Sequence, residues 1–282
     1  VEPQEAGAES PSDTDWPSYR HDSWRSCSTR AEGPSDLDVL WRTSLGDMRG
    51  VTGPITRDWD EDPFCKGPIS PPVIANGTVF VARPNAHQVV ALDEGTGEVR
   101  WRFTANGRVD TPPTIYRGLC LFGSKSGWVY CLQAVDGKLV WRMRAAPIGE
   151  QIVAYGQLES PWPIPGSVLI VNDVAYFAAG RQSFADGGIL VFAVDPVSGK
   201  RHWVRRLDSI PQTGYYTSSG LEFDNFDLMF REGDDVAMSR WVFDRATGDM
   251  TVDLWKAFAR LNTGGGAAMV PQGCWSYAPR ND

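Results

Sequence analysis

The chain has 282 residues, a formal net charge of −8 and 42% hydrophobic residues. That charge balance argues against a nucleic-acid surface, which needs clustered Lys and Arg, and against anionic membranes. No apolar run approaches the 18 or so residues that a membrane-spanning helix requires. Glycine (29) and proline (20) are abundant, as a loop-rich β protein needs.

Residues 1–14 are acidic, rich in Pro, Ser and Ala, and without periodicity, so they read as a disordered tail. Residues 15–36 carry Trp16, Tyr19, Trp24 and Cys27 among charges and read as an irregular arm packed on the domain that follows. Leu37–Leu45, with Val39 and Trp41, reads as an outer strand with no inner partners before it. Such a strand completes a last sheet and removes a free edge. Residues 46–68 form an acidic insertion. Asp58, Asp60, Glu61 and Asp62 are its weak metal candidates, but the spacing and glycine of a calcium loop are missing, so a solvated loop is the favoured reading.

From residue 69 onward one pattern recurs. Pro72–Ala75 and Thr78–Ala82 flank Asn76-Gly77, the strongest short hairpin signal. Val89–Leu92 is a short apolar run of the kind buried on both faces. Asp93–Gly97 is turn chemistry, and Val99, Trp101 and Phe103 alternate on one face of the next strand. The same unit follows around Arg117-Gly118 and Gly137, around Asn172-Asp173 and Gly199, and around Gly248. The turn glycines 97, 137, 199 and 248 thus stand about 40 to 60 residues apart, the spacing of radially repeated four-stranded sheets. Trp101, Trp141 and Trp203 each lie four residues after their glycine; Val252 takes that place in the fourth copy.

The expected fold is therefore an all-β propeller of four-stranded antiparallel blades at about 69–104, 111–144, 166–206 and 216–255, with a partial blade at 264–282. Four to five blades do not fill a seven- or eight-bladed ring. The expectation is a part-propeller completed by further chain or by a protein partner, with a small closed ring or an arc as the alternative.

The turn Asp93–Trp101, matched by Asp195–Trp203 and in part by Gly137–Trp141 and Asp244–Val252, resembles the tryptophan-docking, pyrroloquinoline-quinone-like repeat of quinoprotein propellers. Asp15-Trp16-Pro17-Ser18-Tyr19-Arg20-His21-Asp22 is similar to the segment that precedes the first blade in such chains. The resemblance implies export to a periplasmic or extracellular site. It assigns Trp101, Trp141 and Trp203, with Gly97, Gly137, Gly199 and Gly248, to blade docking. It also implies two functions, since this repeat serves both dehydrogenases and non-catalytic scaffolds. The dehydrogenases carry a vicinal cysteine pair over the quinone and a calcium and base set. This chain has no vicinal cysteines and nothing that matches the other positions, so a scaffold without cofactor is the leading expectation. A fragment of a dehydrogenase using pyrroloquinoline quinone with calcium is the alternative, and a carbohydrate-binding propeller the third.

Outside the repeat, Trp59, Tyr155, Trp162, Arg181, Tyr215, Tyr216 and Trp275 fall in or near rim loops and form the expected partner face. Cys120 and Cys131 flank the Lys125-Ser126 turn at equal distances. They read either as a cross-strand disulfide or as two buried thiols. No Cys-x-x-Cys occurs, which argues against zinc and c-type haem.

Overall fold

The computed structural model describes residues 11–12, 14–33, 35–46, 53, 67–154, 157–181, 186–207, 228–238 and 241–250. Within them lie three complete four-stranded antiparallel meanders. The first comprises β1 (Val73–Ala75), β2 (Thr78–Arg83), β3 (Gln88–Asp93) and β4 (Val99–Thr104). The second comprises β5 (Thr114–Tyr116), β6 (Leu119–Gly123), β7 (Trp128–Gln133) and β8 (Leu139–Arg144). A separate hairpin, β9 (Ile152–Ala154) and β10 (Gln157–Glu159), precedes the third, which is β11 (Leu169–Val171), β12 (Val174–Ala179), β13 (Ile189–Val194) and β14 (Arg201–Leu207). A fourth sheet shows β15 (Met229–Glu232), β16 (Asp235–Met238) and β17 (Trp241–Phe243). The described residues contain no α-helix; one 3₁₀ turn, Pro84–Ala86, links β2 to β3. The stretch 264–282, read above as a partial blade, lies outside the described residues, as do the ends of the fourth unit.

The turn residues explain the meanders. In the three complete blades the inner hairpin turns on two residues with positive φ: Asn76 and Gly77, Arg117 and Gly118, Asn172 and Asp173. This is the turn whose twist matches the strands it joins. The outer turn is held by an aspartate. Asp93 Oδ1 accepts from the backbone N–H of Gly95 and Thr96 at 3.0 and 2.9 Å. Asp195 and Asp244 do the same for the third and fourth sheets.

Blades stack face to face, with β11 lying against both β5 and β15. Phe80, Val89, Ala91 and Trp101 of the first blade pack with Cys120, Phe122, Tyr130 and Leu132 of the second. Leu121, Val129 and Cys131 turn the other way, onto Phe177, Leu190 and Phe192 of the third. Each central strand is thus buried on both sides, which is why it reads as a continuous apolar run.

Two expectations need correction here. Val99 and Trp101 do not share a face. A β-bulge at Arg100 pairs Ala91 with Trp101 and Leu92 with Val99. The extra residue rotates the strand, so Val99 joins the cluster under Trp41 while Trp101 faces the next blade. The bulge recurs before Trp141 and Trp203. Residues 37–45 form no strand either. They lie on the first blade without a paired neighbour, held by side-chain bonds from Trp41 and Thr43. Leu37, Val39 and Leu40 stay exposed, at 86%, 66% and 77%.

Candidate functional site

The outer turns and the tryptophans form a docking chain. Trp101 Nε1 donates to the carbonyl of Ala134 in the second blade at 2.9 Å. Trp141 Nε1 donates to Pro196 O at 3.0 Å and Trp203 Nε1 to Arg245 O at 2.9 Å. Each indole lies flat on the next turn's glycine. A Cβ on Gly137 would stand 2.7 Å from Trp101 Cδ2, and one on Gly199 2.8 Å from Trp141 Cδ2. Trp41 repeats the arrangement, donating to Glu94 O and covering Gly97.

A meander that starts at its inner strand sends alternate connections to opposite faces. The loops 84–87 and 124–127 and the described residues of 180–188 therefore share one face with the blade-to-blade crossing 105–113 and the described residues of 145–168. Here five charged side chains from four of these loops meet below the surface. Arg108 Nε bonds Asp110 Oδ1 at 3.1 Å. Lys125 Nζ sits 3.2 Å from Asp110 Oδ2 and 3.5 Å from Glu159 Oε1. Arg181 Nη2 closes on Glu159 Oε2 at 2.6 Å. Arg108, Asp110, Lys125 and Glu159 are all buried; only Arg181 is partly exposed. Charges taken from water must be paired in this way, and removing one strands its partner. The network fastens four loops from three blades to one another.

Above it stands the β9–β10 hairpin, and its polarity is inverted. Gln157 reaches back to Asn85 and His87 of the first blade, at 3.0 and 3.2 Å. Glu159 is buried in the network. Val153 and Leu158, directly opposite each other across the ladder, face outward with 75% and 58% exposure. Beside the hairpin lies a cleft of about 190 Å³ lined by Asn106, Ser126, Trp128, Arg144, Glu150 and Gln151, among others. The Arg142 guanidinium stacks 4.9 Å from the centre of the Trp128 ring.

On the inner side, the arm crosses the blades. Trp16 exchanges both backbone bonds with Ile74 of β1, Pro17 O accepts from Ile115 N of β5, and Ser23 O from Arg231 N of β15. Arg25, 2% exposed, donates to Tyr19 O at 2.6 Å and to Met229 O at 3.1 Å. Between arm and inner strands lies an open cavity of about 750 Å³, lined in part by His21, Trp24, Tyr116 and Ile170. Burial and a 2.6 Å bond to Asp173 push the Tyr116 hydroxyl up to about 12, so it stays protonated and donates to that carboxylate. No three His, Cys, Asp or Glu side chains among the described residues converge as a metal set.

The family model for outer membrane protein assembly factor BamB matches residues 34–216. The chain belongs to this family. The dehydrogenase subunit of an alcohol dehydrogenase (quinone) from Gluconobacter oxydans is 29% identical over 220 residues, 70% of this chain and 25% of its own length. The assembly factor BamB of Yersinia pestis is 24% identical over 147 residues, 50% of this chain and 34% of its own. The chain thus spans a quarter to a third of these relatives. The quinohemoprotein alcohol dehydrogenase of Comamonas testosteroni shares the fold, with a TM-score of 0.59 at 16% identity over 85% of this chain and 40% of that one.

In this BamB-family chain the residues singled out from sequence fall into different places. Trp162 is buried, at 7%, against Ile164 and Ala146, and offers no ring to a partner, because residues 160–165 fold down between blades two and three. Arg181 is the exposed end of the ion network. Asp58, Trp59, Asp60, Asp62, Tyr155, Tyr215, Tyr216 and Trp275 lie outside the described residues. Cys120 and Cys131 are free buried thiols. Cys120 pairs with Leu132 and Cys131 with Leu121, so the two point to opposite faces. The ladder is centred on Ser126, half a residue beyond the midpoint that equal spacing suggests, so the register slips by one residue and every side chain is reversed. Trp41 was absent from the predicted docking set. Its signal was a Trp-Arg pair repeated at Trp101-Arg102 and Trp141-Arg142.

Proposed function

We propose that the chain is a non-catalytic, exported propeller scaffold that holds a protein partner on its loop face. The observation that carries this reading is the buried network. Arg108, Asp110, Lys125, Glu159 and Arg181 are ion-paired with one another beneath the loop face, so these five brace a surface rather than line a reaction chamber. Family membership supports the same reading, since the family's printed name is that of an assembly factor. Export rests on that name and on the resemblance to quinoprotein propellers. Residues 37–45 add a second contact: an extended segment, docked through Trp41 but unpaired on its own edge, fits a strand supplied by further chain or by a partner.

The quinone dehydrogenase reading is favoured by the Gluconobacter relative. The donors present do not fit pyrroloquinoline quinone with calcium. The five cysteines include no vicinal pair, and Arg108, Lys125 and Arg181 are ion-paired with Asp110 and Glu159. The test is to add the quinone and calcium to the purified chain and follow alcohol-dependent dye reduction. No reduction is expected, while cross-linking in the source cell joins loop-face peptides to one defined protein. Turnover would end the scaffold reading, and so would cross-links confined to the opposite face.

A further inference from the structure

Strands at a protein surface normally turn apolar residues inward and polar residues out. The β9–β10 hairpin does the reverse. Its inward positions are Gln157, bonded to Asn85 and His87, and Glu159, paired with Arg181. Its outward positions are the cross-strand pair Val153 and Leu158. Ile148, exposed at 42% in the loop before the hairpin, adds a further apolar side chain. Folding gains nothing from this arrangement, since the hairpin is anchored by its polar side. An exposed apolar cluster with a fixed anchor marks a contact surface.

The cleft at its foot supplies a charge. Arg142 lies over Trp128 and, like Arg144, has no carboxylate partner among the described residues. A guanidinium resting over an indole gains a cation–π contact and keeps N–H donors for a planar, bidentate acceptor. Glu150 on the same lining opposes a doubly charged phosphate and leaves room for a single carboxylate. Trp and Arg beside exposed aliphatic side chains are also the residue types that dominate binding hot spots.

We propose that Val153, Leu158 and the cleft lined by Trp128 and Arg144, with Arg142 over the Trp128 ring, together form the docking surface for a protein segment carrying an apolar pair next to an Asp or Glu. The proposal rests on the scaffold reading and names the partner chemistry of the same face. The apolar pair would lie on Val153 and Leu158 while the carboxylate enters the cleft beneath Ile148.

The test is selection of a random peptide library displayed on phage against the whole chain, followed by fluorescence anisotropy with synthetic peptides. The expected peptides carry an acidic residue beside two apolar ones. Their affinity should fall at least about tenfold in the double variant R142A/R144A, in V153S/L158S, and on Glu→Gln exchange within the peptide. Circular dichroism melts of both variants should match the parent, because all four side chains are turned to solvent. No enriched peptide, or peptides indifferent to both variants, would overturn the proposal. A cellular partner cross-linked elsewhere on the loop face would sink this surface and leave the scaffold reading standing. Quinone-dependent turnover would end the scaffold reading and this surface's role with it.

Discussion

The docking of Trp101 on Gly137 can be measured as a coupling. Gly137 has φ +71° and a Cβ there would meet the Trp101 ring at 2.7 Å. Gly137→Ala therefore carries two penalties. The left-handed backbone costs an alanine about 1–2 kcal/mol, and overpacking against the indole costs about 1–3 kcal/mol more. Trp101→Ala alone removes a buried ring and its bond to Ala134 O, a loss of about 3–5 kcal/mol. With the ring gone the added methyl has space, so Gly137→Ala should then cost only its backbone share. A double-mutant cycle in urea, followed by far-UV circular dichroism, should show a coupling of about 1–3 kcal/mol, with the glycine substitution milder in the Trp101→Ala background. Equal costs in both backgrounds would refute the contact, and with it the idea that each outer turn is shaped by the preceding blade's indole.

Lys125→Ala leaves Asp110 and Glu159 buried beside an absent cation and should cost about 3–5 kcal/mol. Arg181→Ala, at the exposed end of the same network, should cost clearly less by the same denaturation. Cys27 is exposed whereas Cys120 and Cys131 are buried, with burial raising both thiols above their usual range. Iodoacetamide mapping should therefore modify Cys27 in the native protein and the other two only after unfolding, and a disulfide-linked peptide would contradict this. The Arg100 guanidinium, then the Thr96 N–H, hold the Asp93 carboxyl at about 2 against an ordinary 3.8. A depressed carboxyl adds stability above its unfolded value that is lost as pH falls through the folded one. The parent should thus weaken between about pH 4 and 2, and Asp93→Asn should weaken less over that window. Arg25→Ala removes charge-assisted bonds to Tyr19 O, Met229 O and Ser167 O that tie the arm to itself and to the blades, worth about 3 kcal/mol or more. Limited proteolysis should then cut faster within residues 27–36.

The blades could be read from sequence because each depends on contacts close along the chain. Asn76-Gly77 carries its own positive φ, and Asp93 binds the N–H of residues two and three ahead. The features that escaped depend on distance or on a single residue. The bulge at Arg100 inserts one position and leaves no periodic trace, yet it decides which way Trp101 faces. The same one-residue sensitivity separated Cys120 from Cys131. The ion network draws on residues 108 to 181, whose only common property is the face that their loops share.

Those hidden features have a shared physical cause. In a radial repeat the strands and outer turns are constrained on every blade by the neighbour's indole, so their chemistry recurs. The loop face has no such constraint, and its residues differ from blade to blade. Stability there must come from elsewhere, and in this chain it comes from a salt network and from Gln157 reaching across to Asn85 and His87. A hairpin fixed from below by polar bonds has no need of an apolar underside. That frees Val153 and Leu158 to face outward at little cost to folding, which is the condition a docking surface requires.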